Sequence, residues 1–283
     1  KTFSIGLEDS TDLEAARAVS THLNTEHHEC IITLDEMISS IEEVIYTIES
    51  FCTTSVRAST PNRLLAHFIK RECPEIKVVL SGEGSDENFS MGLVSPGGYK
   101  YLSLAPNVKE LRKESVKLMN EICMFDVTRA DRCISSCNSL ECRVPFLDKN
   151  FINATFKLPM SDKHYNRNTI EKKALRDAFF GHLPDNVLYR PKDAFSDSVG
   201  KQWVNNLQEL YKDYDKQYDF SDRIPKPLTG EQVYYRKVFE DNFGKKSAGI
   251  ISHYWMPNPN WVSEKNKQIL IDPSARYISI QNE

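Results

Sequence analysis

The run KVVLSGEGSDENFS, Lys77 to Ser90, decides how the rest of the chain is read. With Ile76 ahead of it, its opening is a continuous apolar stretch, Ile76–Leu80, of the kind that forms a parallel strand buried on both faces. It leads directly into Ser81, Gly82, Gly84 and Ser85, with three carboxylates, Glu83, Asp86 and Glu87, set among and after them. Glycines let backbone amides approach a ligand closely, and such turns form anion-binding concavities. A carboxylate there can hold Mg²⁺, accept a ribose hydroxyl or take a proton as general base. It can equally be a helix cap, with Asp86 capping the next helix. Residue types alone leave both readings open.

Upstream, TFSIGL (Thr2–Leu7) reads as a strand. Thr11 and Glu14 form a capping-box pattern, after which Leu13, Ala16, Val19 and Leu23 share a helical face. HHECIITL (His27–Leu34) reads as a second strand, and Met37 to Ile48 as a second amphipathic helix. Pro61 is expected to open a third helix carrying Leu64, Leu65, Phe68 and Ile69. Strands alternating with helices predict parallel β-α-β units, whose ligands sit beyond the carboxyl ends of the strands. SIGLEDS and LSGEGSDE both fall at such ends.

After Ser90 the pattern changes. MGLVSPGGYKYLSLAP is a Gly/Pro loop, and beyond it Val108–Met124, Thr169–Phe180 and Gly230–Phe243 read as helices, with no strand signal of similar quality. Residues 1–105 thus form an α/β part, and 106–283 a mainly helical part with a Pro-rich tail.

The chain has 283 residues and a formal net charge of −4, with no basic stripe to suit a nucleic acid, no apolar run of membrane-spanning length and no secretory signal. Seven scattered cysteines read as reduced thiols in a cytoplasmic protein, and no CxxC or His spacing supports a metal site at Cys133, Cys137 and Cys142.

Three further motifs carry charge in suggestive places. In SLECRVPFLDKNF (Ser139–Phe151), Arg143 is either a surface ion-pair partner or an organiser of site carboxylates. In YRPKDAFSDSVG (Tyr189–Gly200), Lys192 is either an exposed lysine or a cation for a transferring phosphoryl group. In TTSVRASTP (Thr53–Pro61), Arg57 lies among hydroxyls ahead of a helix start, which suits an anion at a helix N-terminus.

The order FSIGLEDSTDLEAARAVSTHLNTEHHE, RASTP, VVLSGEGSDE, FDVTRADR, LECRVPFLD, EKKALRDAF, RPKDAFSDSVG, YYRKVFE, SHYWMP…DPSAR resembles the C-terminal synthetase domain of the glutamine-dependent asparagine synthetases, over nearly the whole chain. The closing segment resembles the eukaryotic type. The resemblance implies a parallel-sheet α/β fold of the ATP-pyrophosphatase (adenine nucleotide alpha hydrolase-like) kind with a largely helical C-terminal half. It also implies a ligase reaction in which ATP and Mg²⁺ convert L-aspartate to β-aspartyl-AMP. Ammonia, supplied from glutamine by an N-terminal glutaminase domain, then gives L-asparagine. A homodimer accompanies the resemblance.

Carried over by position, Ile5, Ser81 and Gly82 match nucleotide contacts. Glu83 matches the carboxylate that takes a proton from attacking ammonia. Asp86 matches a metal–pyrophosphate or ribose-side ligand, Asp126 and Arg129 a motif beside the site and the ammonia path, and Lys192 a phosphate-neutralising lysine. Thr54, Arg57 and Ser59 are secondary choices for the aspartate end.

Several departures are visible. The family's pyrophosphate loop, Ser-Gly-Gly-Leu-Asp-Ser after a strand, belongs just before the first strand read here. That strand lies between the first and third, so upstream residues are expected in the native protein. Ser103 and Leu104 replace a His-Lys pair, and Ser139 and Ser198 stand where the family has glycine. Two alternatives remain open: a β-lactam synthetase-like amide-forming enzyme, and a catalytically silent structural or partner-binding homologue.

Overall fold

The computed structural model describes residues 1–89, 99–159, 172–191, 195, 199–200, 202–251 and 253–273. Four expected features lie outside these: Lys192, Ser198, the first half of the Gly/Pro loop (91–98) and the first part of the Thr169–Phe180 helix.

The first strand, β1, covers Thr2–Gly6, and helix α1 covers Thr11–Leu23. The cap of α1 is Ser10, not Thr11: its hydroxyl accepts from the Asp12 amide. Strand β2 (His27–Ile31) pairs with β1 in parallel, in the register Thr2↔His27 to Gly6↔Ile31. A full capping box occurs next, where Thr33 and Glu36 satisfy each other's backbone amides at the start of helix α2 (Leu34–Ser39). Ser40 separates α2 from α3 (Ile41–Ile48), so the single amphipathic helix expected here is two.

Helix α4 runs from Thr53 to Glu72 with Pro61 inside it, which corrects the expectation that Pro61 starts a helix. A proline leaves the carbonyl four residues earlier without its helical donor. That carbonyl belongs to Arg57, and the Trp203 indole Nε1 donates to it at 3.4 Å. The long helix therefore tolerates Pro61 because a tertiary contact replaces the missing hydrogen bond.

Strand β3 (Val78–Leu80) leads into helix α5 (Ser85–Phe89). It is not buried on both faces as its apolar run suggested: Val78 is 39% and Leu80 73% exposed. Helix α6 (Val108–Phe125) and the short α7 (Val127–Ala130) follow, then a π-helical stretch, Asp131–Ser136. Strand β4 (Glu141–Arg143) then pairs with β3 in parallel, Val78↔Glu141 to Leu80↔Arg143. This strand lies in the half where none was expected. Among the described residues the strands form two separate parallel pairs, β1–β2 and β3–β4.

Phe3 of β1 and Val79 of β3 both pack on a small cluster built on Ala66 and Ile69 of α4 and on Leu140. The main core is helical. Ile41, Val44 and Ile45 of α3 are fully buried together with Trp203, Leu207 and Tyr235 from the helices Trp203–Tyr211 and Gly230–Phe243. The result is a mostly helical domain with small parallel sheets. No helix among the described residues is long and apolar enough to cross a membrane.

Candidate active site

The loop after β3 is shaped by Gly84. Its φ is +86°, and a Cβ there would meet Leu147 Cδ2 at 2.3 Å, so any side chain would be both strained and obstructed. Behind the loop, Asn88 Nδ2 donates to the Gly84 and Phe146 carbonyls, each at 2.8 Å. Thr155 Oγ1 of helix α8 (Lys149–Lys157) donates to Asn88 Oδ1 at 2.6 Å. The first turn of α5 is thereby held in place.

Arg129 of α7 gathers two of the expected residues. Its Nη2 and Nε donate to Glu83 Oε1 at 2.7 and 3.2 Å, and its Nη1 to Asp126 Oδ1 at 2.9 Å. All three side chains are largely shielded from solvent, at 12–20% exposure, so these pairs lie outside the well-solvated regime in which ion pairs count for little. Burial raises the Asp126 carboxyl above the usual range despite Arg129. The two carboxylates raise the Arg129 guanidinium further still, against the opposing effect of its own burial.

Asp86, one residue into α5, pairs with Lys172 Nζ at 2.9 Å, and the same ammonium donates to Ser85 Oγ at 2.9 Å. The buried Glu87 accepts from the Tyr99 hydroxyl at 2.5 Å. Burial, with Asp126 and Asp86 nearby, pushes its carboxyl up to about 8.

Ser81 continues the β3–β4 ladder, its amide donating to the Arg143 carbonyl at 2.9 Å, and its hydroxyl accepts from the Glu83 amide. Gly82 has open space where a side chain would be. Ile5 is buried near the end of β1. Leu7, just beyond, donates its amide to the Val199 carbonyl at 2.8 Å, and Gly200 packs directly on the Leu7 side chain. Arg190 reaches Asp12 Oδ1 at 2.6 Å and Thr11 Oγ1 at 3.0 Å at the start of α1. The described flanks of the Lys192 segment are therefore anchored at the carboxyl end of β1 and the adjoining helix start; Lys192 itself lies outside the described residues.

The remaining expectations come out differently. Arg57 is not ahead of a helix but in the second turn of α4, 3% exposed. Its guanidinium is held by Glu231 through Nε (2.8 Å) and Nη2 (2.5 Å), and by Asp272 through Nη1 (2.8 Å). No helix-end anion site forms there. Ser59 is fully buried within the same helix, and Thr54 lies in its first turn beside Cys52. Arg143 is 60% exposed and pairs with Glu141, so it is a surface ion pair and not an organiser of the site. Ser139 has φ +53°, the left-handed region that a serine adopts only at a cost.

Lys172, Glu87 and Tyr99 received no role from the sequence. Glu87 was visible as a third carboxylate beside Asp86, and Lys172 lies in the EKKALRDAF stretch. Neither sequence position reveals a partner so distant along the chain. Among the described residues no group of three or more His, Cys, Asp or Glu is arranged to hold a metal ion.

Comparison with known proteins agrees with this architecture. The asparagine synthase family model matches residues 1–109 and 99–264, and the chain belongs to that family. It is 40% identical over 286 residues to a probable asparagine synthetase [glutamine-hydrolyzing] of Acanthamoeba polyphaga mimivirus, covering 98% of this chain and 49% of the relative. It is 40% identical over 291 residues to the asparagine synthetase [glutamine-hydrolyzing] of Gallus gallus, covering 98% and 48%. With asparagine synthetase B [glutamine-hydrolyzing] of Escherichia coli K12 the identity is 41% over 252 residues, covering 87% and 44%. The chain spans about half the length of these relatives.

Proposed function

We propose that this chain is the synthetase part of a glutamine-dependent asparagine synthetase, forming L-asparagine from L-aspartate and ammonia with ATP. The observation that carries the reading is the single Arg129 guanidinium holding Glu83 and Asp126 just beyond the carboxyl end of β3. In an open parallel sheet that is where ligands bind.

The chemistry has two stages. An aspartate side-chain carboxylate oxygen attacks the α-phosphorus of ATP, forming a P–O bond and expelling pyrophosphate. Ammonia then attacks the acyl carbon of β-aspartyl-AMP, the C–O bond breaks, and AMP leaves with the bridging oxygen. The nitrogen must shed a proton as the amide forms, and Glu83 is positioned to receive it. Arg129 fixes the Glu83 carboxylate in place through two bonds to the same oxygen, Oε1. Ile5, Ser81 and Gly82 contribute backbone surface to the nucleotide. Of the residues considered for the aspartate end, Thr54 lies in the first turn of α4, while Arg57 is paired with Glu231 and Asp272 and Ser59 is buried in the same helix.

Mg²⁺ is characteristically held by one or two carboxylates together with substrate phosphates. Asp86 suits that demand as a single half-buried carboxylate in the first turn of α5, and the ion would neutralise charge on the leaving pyrophosphate. Lys192 is assigned to the same charge, supported by the anchoring of Arg190 and Val199 on either side of its segment. The separation of β1–β2 from β3–β4, with Leu80 73% exposed, supports a further parallel strand between β1 and β3, supplied from upstream together with the phosphate loop and the glutaminase domain.

The test is oxygen transfer. With the upstream part present, aspartate labelled with ¹⁸O in its side-chain carboxylate should deliver one labelled oxygen to AMP for each asparagine formed. Label in inorganic phosphate would indicate an acyl phosphate and contradict the reading.

A further inference from the structure

Asp126 lies at the junction of α6 and α7, and its side chain makes no capping bond there. Its orientation depends on what grips its two oxygens. Oδ1 is committed to Arg129 Nη1 at 2.9 Å, while Oδ2 faces the Tyr99 hydroxyl at 3.4 Å. The same hydroxyl is bonded to Glu87 Oε1 at 2.5 Å. Its place is set in turn by an aromatic group remote from the chemistry: the Tyr99 ring packs against Trp255 at 5.6 Å and Tyr101 at 6.3 Å, and Tyr101 against Trp261 at 6.0 Å. One oxygen atom, fixed by a rigid aromatic cluster, thus lies between a carboxylate of α5 and the carboxylate that holds Arg129.

We propose that Tyr99 is a positioning residue: its hydroxyl spans Glu87 and Asp126, and so holds the Arg129 guanidinium in the orientation that aims Glu83. The proposal rests on the asparagine synthetase reading. Tyr99 touches neither reacting atom. Without its hydroxyl, Asp126 Oδ2 loses the contact that opposes the pull of Arg129 on Oδ1. The Asp126–Arg129 pair then turns as a unit, and the two bonds from Arg129 to Glu83 are the ones that lengthen. Misplacement of a base by about 1 Å is costly, because proton transfer needs the heavy atoms within hydrogen-bond reach. Adenylation does not use Glu83 in this mechanism and should be spared.

The experiment uses the full-length protein, upstream region included, with Tyr99→Phe, which keeps the ring in its aromatic cluster and removes one oxygen. Aspartate-dependent exchange of pyrophosphate into ATP should stay within about twofold of wild type, and ammonia-dependent asparagine formation should fall by about tenfold or more. A double-mutant cycle with Glu83→Gln separates positioning from general structural damage: in the Glu83→Gln background, Tyr99→Phe should cost nothing further. Equal losses in exchange and synthesis, additive losses in the cycle, or wild-type rates for Tyr99→Phe would each overturn the proposal. If the wild-type protein itself shows no aspartate-dependent exchange, the functional reading fails instead, an outcome distinct from all of these.

Discussion

Replacing Arg57 with Met should unfold this protein more readily, and should do so for an electrostatic reason. Arg57, Glu231 and Asp272 are each only 2–3% exposed, and they join α4, the helix Gly230–Phe243 and the C-terminal segment. Met fills much of the arginine volume but strands two carboxylates in the interior. Removing one partner of a buried ion pair costs about 3–5 kcal/mol, because the remaining charge is uncompensated. At this chain size, each kcal/mol moves the melting temperature by about 2–4 °C, so the expected fall is about 6–20 °C. The triple variant Arg57→Met, Glu231→Gln, Asp272→Asn should recover most of the loss, since breaking the pair is far costlier than replacing all its members. Urea and thermal melts followed by circular dichroism read these changes. The structural assignment is refuted if Arg57→Met melts within about 2 °C of wild type, a shift of about 1 kcal/mol or less, while raising the KM for aspartate. Arg57 would then be a substrate residue, as its neighbouring hydroxyls first suggested.

Three other expectations are simpler. Gly84→Ala should destabilise by at least about 1–3 kcal/mol, from its positive φ and the encounter with Leu147, and should depress asparagine formation because Glu83 adjoins it; melting and activity assays read both. Ser139→Gly should leave activity unchanged and stabilise by up to about 1 kcal/mol, since relief of the left-handed serine exceeds the added chain entropy of glycine; denaturant melts measure it. In thiol labelling followed by mass spectrometry, exposed Cys123 and Cys137 should react first. Cys133, whose thiol burial pushes up to about 12, should resist labelling at pH 9 until the chain unfolds.

The legible parts of the sequence were those whose information is local. The apolar rhythm of Thr2–Leu7, of α1 and of Gly230–Phe243 reports structure that each segment's own side chains require. Strand β4 was illegible because Glu141, Cys142 and Arg143 have no apolar face; their extended shape comes from backbone pairing with β3. Pro61 misled for a related reason: a proline marks a helix start unless something distant satisfies the freed carbonyl, and here Trp203 does so. In the candidate site, SGEGSDE and the DVTR tetrad around Asp126 and Arg129 were readable as motifs. That a single guanidinium joins them was not, nor that Tyr99 and Lys172 close on Glu87 and Asp86. The same limit explains Arg57, whose hydroxyl-rich neighbourhood was visible while Glu231 and Asp272, far along the chain, were not.

In the proposed reading Glu83 serves only the second stage, amide formation. The most direct test of this is Glu83→Gln in the full-length protein, with aspartate-dependent pyrophosphate exchange and asparagine formation measured on the same preparation. Exchange should persist within about twofold of wild type, while asparagine formation should fall by about 100-fold or more, the usual contribution of a general base. Collapse of exchange together with synthesis would put Glu83 in adenylation and contradict the account.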